Sequence, residues 1–192
     1  MTFRLRDPAH PRGSDAVRPA AALIGWTPRP SPSSAATTET AIATGRGIAY
    51  VHYKRNETSM TVAITVEIER TSGMRCIVCA YDCSLMINPN TLRAQDEGNL
   101  LQTLWQMPHK ETTFDRERVT SVDGAGYRLL RSPKVPLLDI AFGKRRDDPP
   151  LGAGEGASAP VPAALANTVF NAVGARLRTV PFTAAHVSTA LG

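Results

Sequence analysis

The sequence has little of several residue types that mark common classes of protein. Of its 192 residues, 6% are aromatic and three are cysteines. No run approaches the roughly 20 apolar residues that a membrane-spanning helix needs. The first residues, MTFRLRDPAHPRG, lack the apolar core of a secretory signal peptide. We therefore expect a cytoplasmic protein without a membrane span, exported only if a partner carries the signal.

The charge distribution gives little support to nucleic-acid binding. The chain has 22 Lys and Arg against 17 Asp and Glu, a net charge of +5. Lys144, Arg145 and Arg146 form a basic cluster, but Asp147 and Asp148 follow at once and cancel much of its field. No aromatic residues stand beside a basic stripe to stack on bases. A nucleic-acid binder is therefore the weakest of the three functional hypotheses.

The composition of the chain changes near residue 46. Residues 1–45 are rich in Pro, Ala, Ser and Thr and predict an irregular N-terminal arm, in which DAVRPAAALIGW forms a short helix. Residues 46–192 contain the strand and helix patterns. The length suits one domain beside such an arm, so we divide the chain at this point.

Several β-rich runs begin the second part. GIAYVHYK and MTVAITVEIER are separated by the polar turn RNETS, which predicts an antiparallel hairpin. In the second run, apolar residues at every other position predict a sheet with one wet face. Further strand signals occur in MRCIVCAYD, in ETTFDRERVTS (a strand pair or strand-turn) and in KVPLLDIAFG.

Two apolar stripes predict helices that cover this sheet. NPNTLRAQDEGNLLQTLWQM has Asn88 or Asn90 as its N-cap. PVPAALANTVFNAVGARL has a proline in its first turn and Gly174 as its stop. The predicted fold class is α+β: an antiparallel or mixed sheet hairpin packed by helices.

The three cysteines have a spacing that looks like a metal or cluster motif. Cys76 and Cys79 lie three residues apart on a predicted strand, so their side chains point to opposite faces. With Cys83 the chain has three thiols, whereas an all-cysteine tetrahedral site needs four. We therefore interpret them as ordinary buried thiols in a reducing compartment.

QDEG, residues 95–98, offers two adjacent carboxylates on a helix. Neighbours on a helix point about 100° apart, so Asp96 and Glu97 cannot act as a shared dyad. Solvation or helix capping is the default interpretation. The alternative is a close approach of Gln95 and Gly98 to another part of a larger protein.

PPLGAGEGASAP isolates a single carboxylate, Glu155, among small residues. Gly152 and Gly154 permit close contacts that a β-carbon would forbid, and their N–H groups could bind ligand oxygens. The motif is either a flexible acidic loop or a loop that presents one carboxylate to a ligand as a base. The GxGE pattern alone is common and does not decide between them.

Four segments read together resemble a known family. In chain order they are GRGIAYVHYK, CAYDCSLMINPNTLRAQDEGN, VTSVDGAGYRLLR and PPLGAGEGASAPVPAALANTVFNAVGARLRTVPFT. They resemble the C-terminal part of the molybdopterin-binding large subunit of xanthine dehydrogenase and aldehyde oxidase-type molybdenum hydroxylases. The nearest types are the isoquinoline 1-oxidoreductase beta subunit and nicotinate dehydrogenase, and almost the whole chain is covered.

The resemblance implies a partial molybdopterin-binding domain, a fragment of a larger subunit. Glu155 would stand beside the molybdenum as general base, without a protein ligand to the metal itself. Leu151, Gly152, Ala153 and Gly154 would line molybdopterin, in a dinucleotide form, once the missing N-terminal part is assembled. The implied activity is hydroxylation of an aldehyde or aromatic N-heterocycle with water as the oxygen source.

The resemblance also implies partners and exposes departures. The partners are the missing N-terminal part of the large subunit, a 2Fe–2S iron–sulfur small subunit and a downstream electron acceptor. Ser84 stands where the family's strand end has glycine, and Asn99 replaces the second glycine of Q-x-E-G-G. Together with the missing cofactor cradle, these favour the alternative of an inert truncated remnant that acts at most as an interaction or structural module.

Overall fold

A computed structural model describes residues 11–32, 42–53, 58–69, 76–124 and 126–191. The helices are α1 (Pro11–Leu23), α2 (Pro89–His109), α3 (Val161–Val173) and α4 (Ala184–Thr189). The strands are β1 (Ile42–Tyr53), β2 (Thr58–Glu69), β3 (Cys76–Asp82) and β4 (Leu137–Phe142). Short 3-10 turns lie at Ser132–Lys134 and Gly156–Ser158. No helix among these residues is long and apolar enough to cross a membrane.

The four strands form one mixed sheet in the order β1-β2-β3-β4. β1 and β2 pair antiparallel with Ile48 opposite Ala63, and β2 and β3 also pair antiparallel. β4 lies parallel to β3, with Cys79 opposite Ile140. The long connection through α2 returns the chain to the same end of the sheet, as a parallel pair requires. This edge corrects the antiparallel half of the predicted sheet.

Two other strand predictions have different outcomes. The segment ETTFDRERVTS makes a single antiparallel bridge between Phe114 and Val119 instead of a strand pair. The Asp115 side chain accepts hydrogen bonds from the backbone N–H groups of Glu117 and Arg118, which closes a tight turn. The predicted wet face of β2 concerns side chains outside those that the structure describes.

β3 is buried on both faces of the sheet. Ile77, Cys79 and Tyr81 belong to the main core, which α2 and α3 cover. Ala80 packs with Val17 of α1 on the other face. Because side chains alternate along a strand, a strand covered on both sides is apolar throughout.

The helix ends follow their caps. The Asn88 side chain accepts from the N–H groups of Asn90 and Thr91, both at 3.1 Å, so Asn88 is the cap of α2. Gly174 ends α3 in the left-handed conformation with φ 81°, as predicted. α1 contains much of the helix predicted in the N-terminal arm and packs on the sheet, so residues 1–45 are not irregular throughout. The division between arm and domain stays a prediction.

α3 lies unusually close to β1, and two glycines allow this contact. A β-carbon at Gly45 would overlap the carbonyl oxygen of Thr168, and one at Gly47 would overlap that of Ala164. The packing of α3 on β1 therefore depends on the absence of side chains in the GRG part of GRGIAYVHYK.

We expect Gly47→Ala to lower the free energy of unfolding by about 2 kcal/mol or more, because the methyl group forces α3 away from β1. Gly98→Ala is the matched control, since a β-carbon there meets nothing within 4 Å in α2. That control should raise stability by about 1 kcal/mol, the helix-propensity gain. Urea unfolding of both variants measures the difference, and shifts of equal sign would contradict the packing argument.

Candidate functional site

The glycine loop joins the end of β3 to the start of α3. The N–H of Leu151 donates to the carbonyl oxygen of Cys83 at 3.1 Å, which fixes the beginning of the loop beside the DCS turn. At its other end, Gly156 and Ala157 are buried in the 3-10 turn that leads towards α3. Between these anchors the side chain of Glu155 is exposed. The loop therefore presents its carboxylate from a surface position with both ends held.

Tyr53, the last residue of β1, holds the Glu155 carboxylate. Its hydroxyl donates a hydrogen bond to Oε1 of Glu155, across 102 residues of sequence. The Tyr53 ring packs against the main core, so the hydroxyl is positioned by the sheet. The sequence interpretation missed this residue, although it continues the alternating apolar face of Ala49 and Val51 on β1.

Asn99 ties α2 to the same loop. Its Nδ2 donates to the carbonyl oxygen of Gly154 at 2.8 Å, and its Oδ1 accepts from the Ser158 hydroxyl at 3.1 Å. The departure from the family's glycine therefore does not loosen the packing near the loop, as its substitution suggested. The side chain is a tether that spans the loop from Gly154 to the 3-10 turn.

The outer side of the loop is open. A β-carbon at Gly154 would meet no heavy atom within 4 Å. Gly152, Gly154 and Glu155 are exposed, whereas Leu151 and Ala153 are half-buried. The five predicted site residues thus lie together on one exposed loop, with room for a group that this chain does not itself provide. Their roles toward a cofactor stay predictions.

Ser84 follows β3 with φ 66°, a left-handed conformation that favours glycine. Its N–H donates to Oδ1 of Asp82 at 3.0 Å, and its hydroxyl accepts from Arg12. Ser84 is 2% exposed, so the turn is part of the folded core. The backbone here keeps the conformation of the family's glycine while the side chain gains a bond to α1.

Asp96 is fully buried in α2, so the default interpretation of solvation or capping is wrong for this residue. Neither carboxylate oxygen has a hydrogen-bond partner among the described residues. Burial raises the pKa of Asp96 from 3.8 to about 7, with the charge of Arg93 opposing and that of Glu97 adding to the shift. Leu92, Asp96 and Leu100 share one helix face at spacings of four, a signal that predicts the burial.

The cysteines are free thiols. Cys79 and Cys83 are buried, as predicted, and Cys76 is half-buried. Burial and, after it, the nearby Asp96 charge raise the pKa of Cys79 and bring that of Cys83 to about 11. Thiols with raised pKa are poor nucleophiles at neutral pH. They act as small apolar side chains of the core.

Several known proteins are similar in sequence to much or all of the chain. A nicotinate dehydrogenase large-chain relative from Pseudomonas putida is 33% identical over 201 residues, covering 100% of this chain and 17% of that protein. A membrane-bound, pyrroloquinoline-quinone aldehyde dehydrogenase of Gluconacetobacter polyoxogenes is 30% identical over 125 residues, covering 64% of this chain and 16% of that protein. The isoquinoline 1-oxidoreductase beta chain from Brevundimonas diminuta is 23% identical, covering 89% and 21%. The chain thus spans about a sixth to a fifth of these relatives.

Solved structures share the fold. Quinoline 2-oxidoreductase from Pseudomonas putida 86 matches with a TM-score of 0.63 and 23% identity, over 70% of this chain and 18% of that one. A Cu,Mo-CO dehydrogenase matches with a TM-score of 0.60 and 16% identity, over 69% and 18%. No family model matches the chain. The relatives and structures together confirm the predicted resemblance to part of the molybdenum hydroxylases.

The turn at Ser84 gives a test of the strained backbone. Ser84→Ala and Ser84→Gly both remove the bond to Arg12, but only glycine relieves the left-handed conformation. We expect the glycine variant to be more stable than the alanine variant by about 1 kcal/mol. Thermal or urea unfolding compares them, and equal stabilities would show that the turn carries no strain.

The buried carboxyl predicts a pH-dependent stability. The unfolded chain releases the Asp96 proton near its ordinary pKa of 3.8, whereas the folded chain keeps it up to about 7. Its contribution to stability is therefore largest below pH 4, falls as the pH rises, and is lost above about 7. Relative to Asp96→Asn, we expect the wild type to lose on the order of 3 kcal/mol between pH 4 and pH 8.

Unfolding by urea at a series of pH values measures that difference. Glu111→Gln removes an exposed carboxylate at the end of α2 and serves as the control. The control should follow the wild type at every pH. A constant difference between wild type and Asp96→Asn from pH 4 to pH 8 would show that Asp96 has no raised pKa.

Proposed function

We propose that the chain is the C-terminal part of the large subunit of a molybdenum hydroxylase. In the assembled enzyme, Glu155 acts as the general base in the hydroxylation of an aldehyde or an aromatic N-heterocycle, with water as the oxygen source. One observation carries this proposal: a carboxylate held by Tyr53 stands at the end of an anchored glycine loop with an open outer side. The relatives' names and partial coverage support it.

The loop fits a cofactor that approaches from outside this chain. Gly154 offers backbone without a side chain to a neighbouring group, and the space beside it is open. Leu151, Gly152, Ala153 and Gly154 would hold molybdopterin, in a dinucleotide form, together with walls from the missing N-terminal part. Molybdopterin, when bound, supplies the two-electron oxidation of the substrate carbon.

Glu155 contributes a proton acceptor to this arrangement. Oε1 accepts the Tyr53 hydroxyl, so the carboxylate is oriented and Oε2 is turned to another donor. A general base must lie within hydrogen-bond reach of the proton that it takes, and the Tyr53 bond restricts the carboxylate to one orientation. Asn99 fixes the backbone immediately before it through the Gly154 carbonyl. Tyr53 and Asn99 are therefore positioning residues.

Assembly with the rest of the large subunit is supported by apolar surface. Among the described residues, seven of the eleven exposed large hydrophobic side chains fall between positions 114 and 137. Phe114 and Val122 are 77% and 79% exposed. Contiguous apolar surface of this kind marks contact with other protein. The proposed partners are the N-terminal part of the large subunit, a 2Fe–2S small subunit and an electron acceptor that follows it.

Substitution of the base tests the proposal in the assembled enzyme. The chain is co-expressed with the N-terminal part of the large subunit and the iron–sulfur subunit, and its molybdenum content is measured. We expect Glu155→Gln to lower kcat by at least about 100-fold at unchanged molybdenum content, because the proton acceptor is lost. Tyr53→Phe should lower kcat less and shift the pH profile, whereas Glu111→Gln should change neither.

Two outcomes would overturn the proposal. Full turnover by molybdenum-loaded Glu155→Gln would remove Glu155 from the chemistry. Absence of turnover in the loaded wild-type enzyme, with every aldehyde and N-heterocycle tried, would favour the inert module.

A further inference from the structure

A second cleft lies at the other end of β1, away from Glu155. It has a volume of about 420 Å³ and is formed by the segment after α1, the beginning of β1 and the end of α3. Arg46 in this cleft and Tyr53 at the candidate site are seven residues apart on one strand, which separates them by about 23 Å. The cleft is therefore independent of the proposed general base.

Three guanidinium groups line the cleft without a balancing carboxylate. They belong to Arg29, Arg46 and Arg176, and no Asp or Glu is among the described residues of the lining. Elsewhere in the described chain, by contrast, Arg145 pairs with Asp82 at 2.7 Å. Burial and the neighbouring charge of Arg46 lower the pKa of Arg29, which shows that the two cations repel one another.

The guanidinium groups are held in place by neutral acceptors. Arg29 Nη2 donates to Oδ1 of Asn171 at 2.6 Å and to the carbonyl oxygen of Thr44 at 3.1 Å. Arg46 Nη1 donates to the carbonyl oxygen of Gly25 at 2.8 Å. Each of these arginines uses one amino nitrogen, and its remaining N–H groups are available to a ligand.

Two further contacts stiffen the site. Asn171 is 6% exposed, and its Oδ1 also accepts from the backbone N–H of Arg46 at 3.0 Å. One buried amide oxygen thus links α3 to both arginines. Arg176 lies over the Phe170 ring, 3.3 Å from its centroid. The positive charges are therefore positioned before any ligand binds, which reduces the entropy that binding costs.

We infer that this cleft binds a phosphate dianion, either free or carried by an organic phosphate. Guanidinium groups match phosphate oxygens in geometry and charge, and three of them exceed what a single carboxylate needs. The anion would offset the repulsion between Arg29 and Arg46. Trp26 and Ile48 in the lining offer apolar surface to an organic group on the phosphate.

Calorimetric titration of the full chain with inorganic phosphate and with adenosine monophosphate at low salt tests this inference. We expect saturable binding that Arg176→Gln weakens at least about 10-fold, since a charge-assisted hydrogen bond is lost. The described contact of Arg176 is the one with the Phe170 ring at the surface, so this variant should keep the wild-type circular dichroism. Arg178→Gln is the matched control, because it removes the same charge from an exposed position outside the cleft.

The arms of the experiment separate the sources of the anion. Tighter binding of adenosine monophosphate assigns the site to organic phosphates, and equal binding assigns it to free phosphate. No saturable binding of either probe would overturn the inference, as would equal weakening in Arg176→Gln and Arg178→Gln. Binding of a glutamate-rich peptide that phosphate does not displace would overturn it too, and would assign the cleft to a protein segment instead.

Discussion

The contact of α3 with β1 over Gly45 and Gly47 determines the positions of both sites. Because no side chain separates them, the helix lies directly on the strand and runs in the opposite direction. The loop before α3 therefore reaches the end of β1, where Glu155 meets Tyr53. The last turn of α3 reaches the beginning of β1, where Asn171 bonds Arg46. One backbone-to-backbone approach thus serves two separate surface features.

The candidate loop carries local costs that the rest of the core offsets. Asp96 is buried without a hydrogen-bond partner among the described residues, one helical turn from Asn99, the residue that holds the loop. Ser84 adopts a glycine conformation in the turn against which the loop begins. Unfavourable groups are tolerated where function constrains a structure more than stability does. Their position around Glu155 agrees with the proposed function.

Local patterns predict much of this fold. The strands of GRGIAYVHYK and CIVCAYD, the Asn88 cap of α2 and the Gly174 stop of α3 each depend on a few neighbouring residues, so the sequence indicates them. The isolation of one acid among glycines, together with the family resemblance, identifies the loop residues 151–155. The parallel β4 edge has no such local signal, because hydrogen-bond partners across a sheet depend on how a long connection returns.

The groups that hold the candidate site also lie beyond local patterns. Tyr53 and Glu155 meet across 102 residues, and Asn99 bonds a loop 55 residues away. Such contacts follow from the packing of α3 on β1 and of α2 beside the loop, which no spacing in the sequence encodes. The burial of Asp96 is different, since its spacing from Leu92 and Leu100 contains the signal.

The most direct measurement is an experimental structure of the assembled, molybdenum-loaded enzyme. We expect the Glu155 carboxylate to keep its bond to Tyr53, to lose its exposure to bulk water and to face the metal centre across the open side of the loop. A loaded enzyme in which Glu155 still points into bulk solvent, with the glycine loop away from the cofactor, would contradict the central claim.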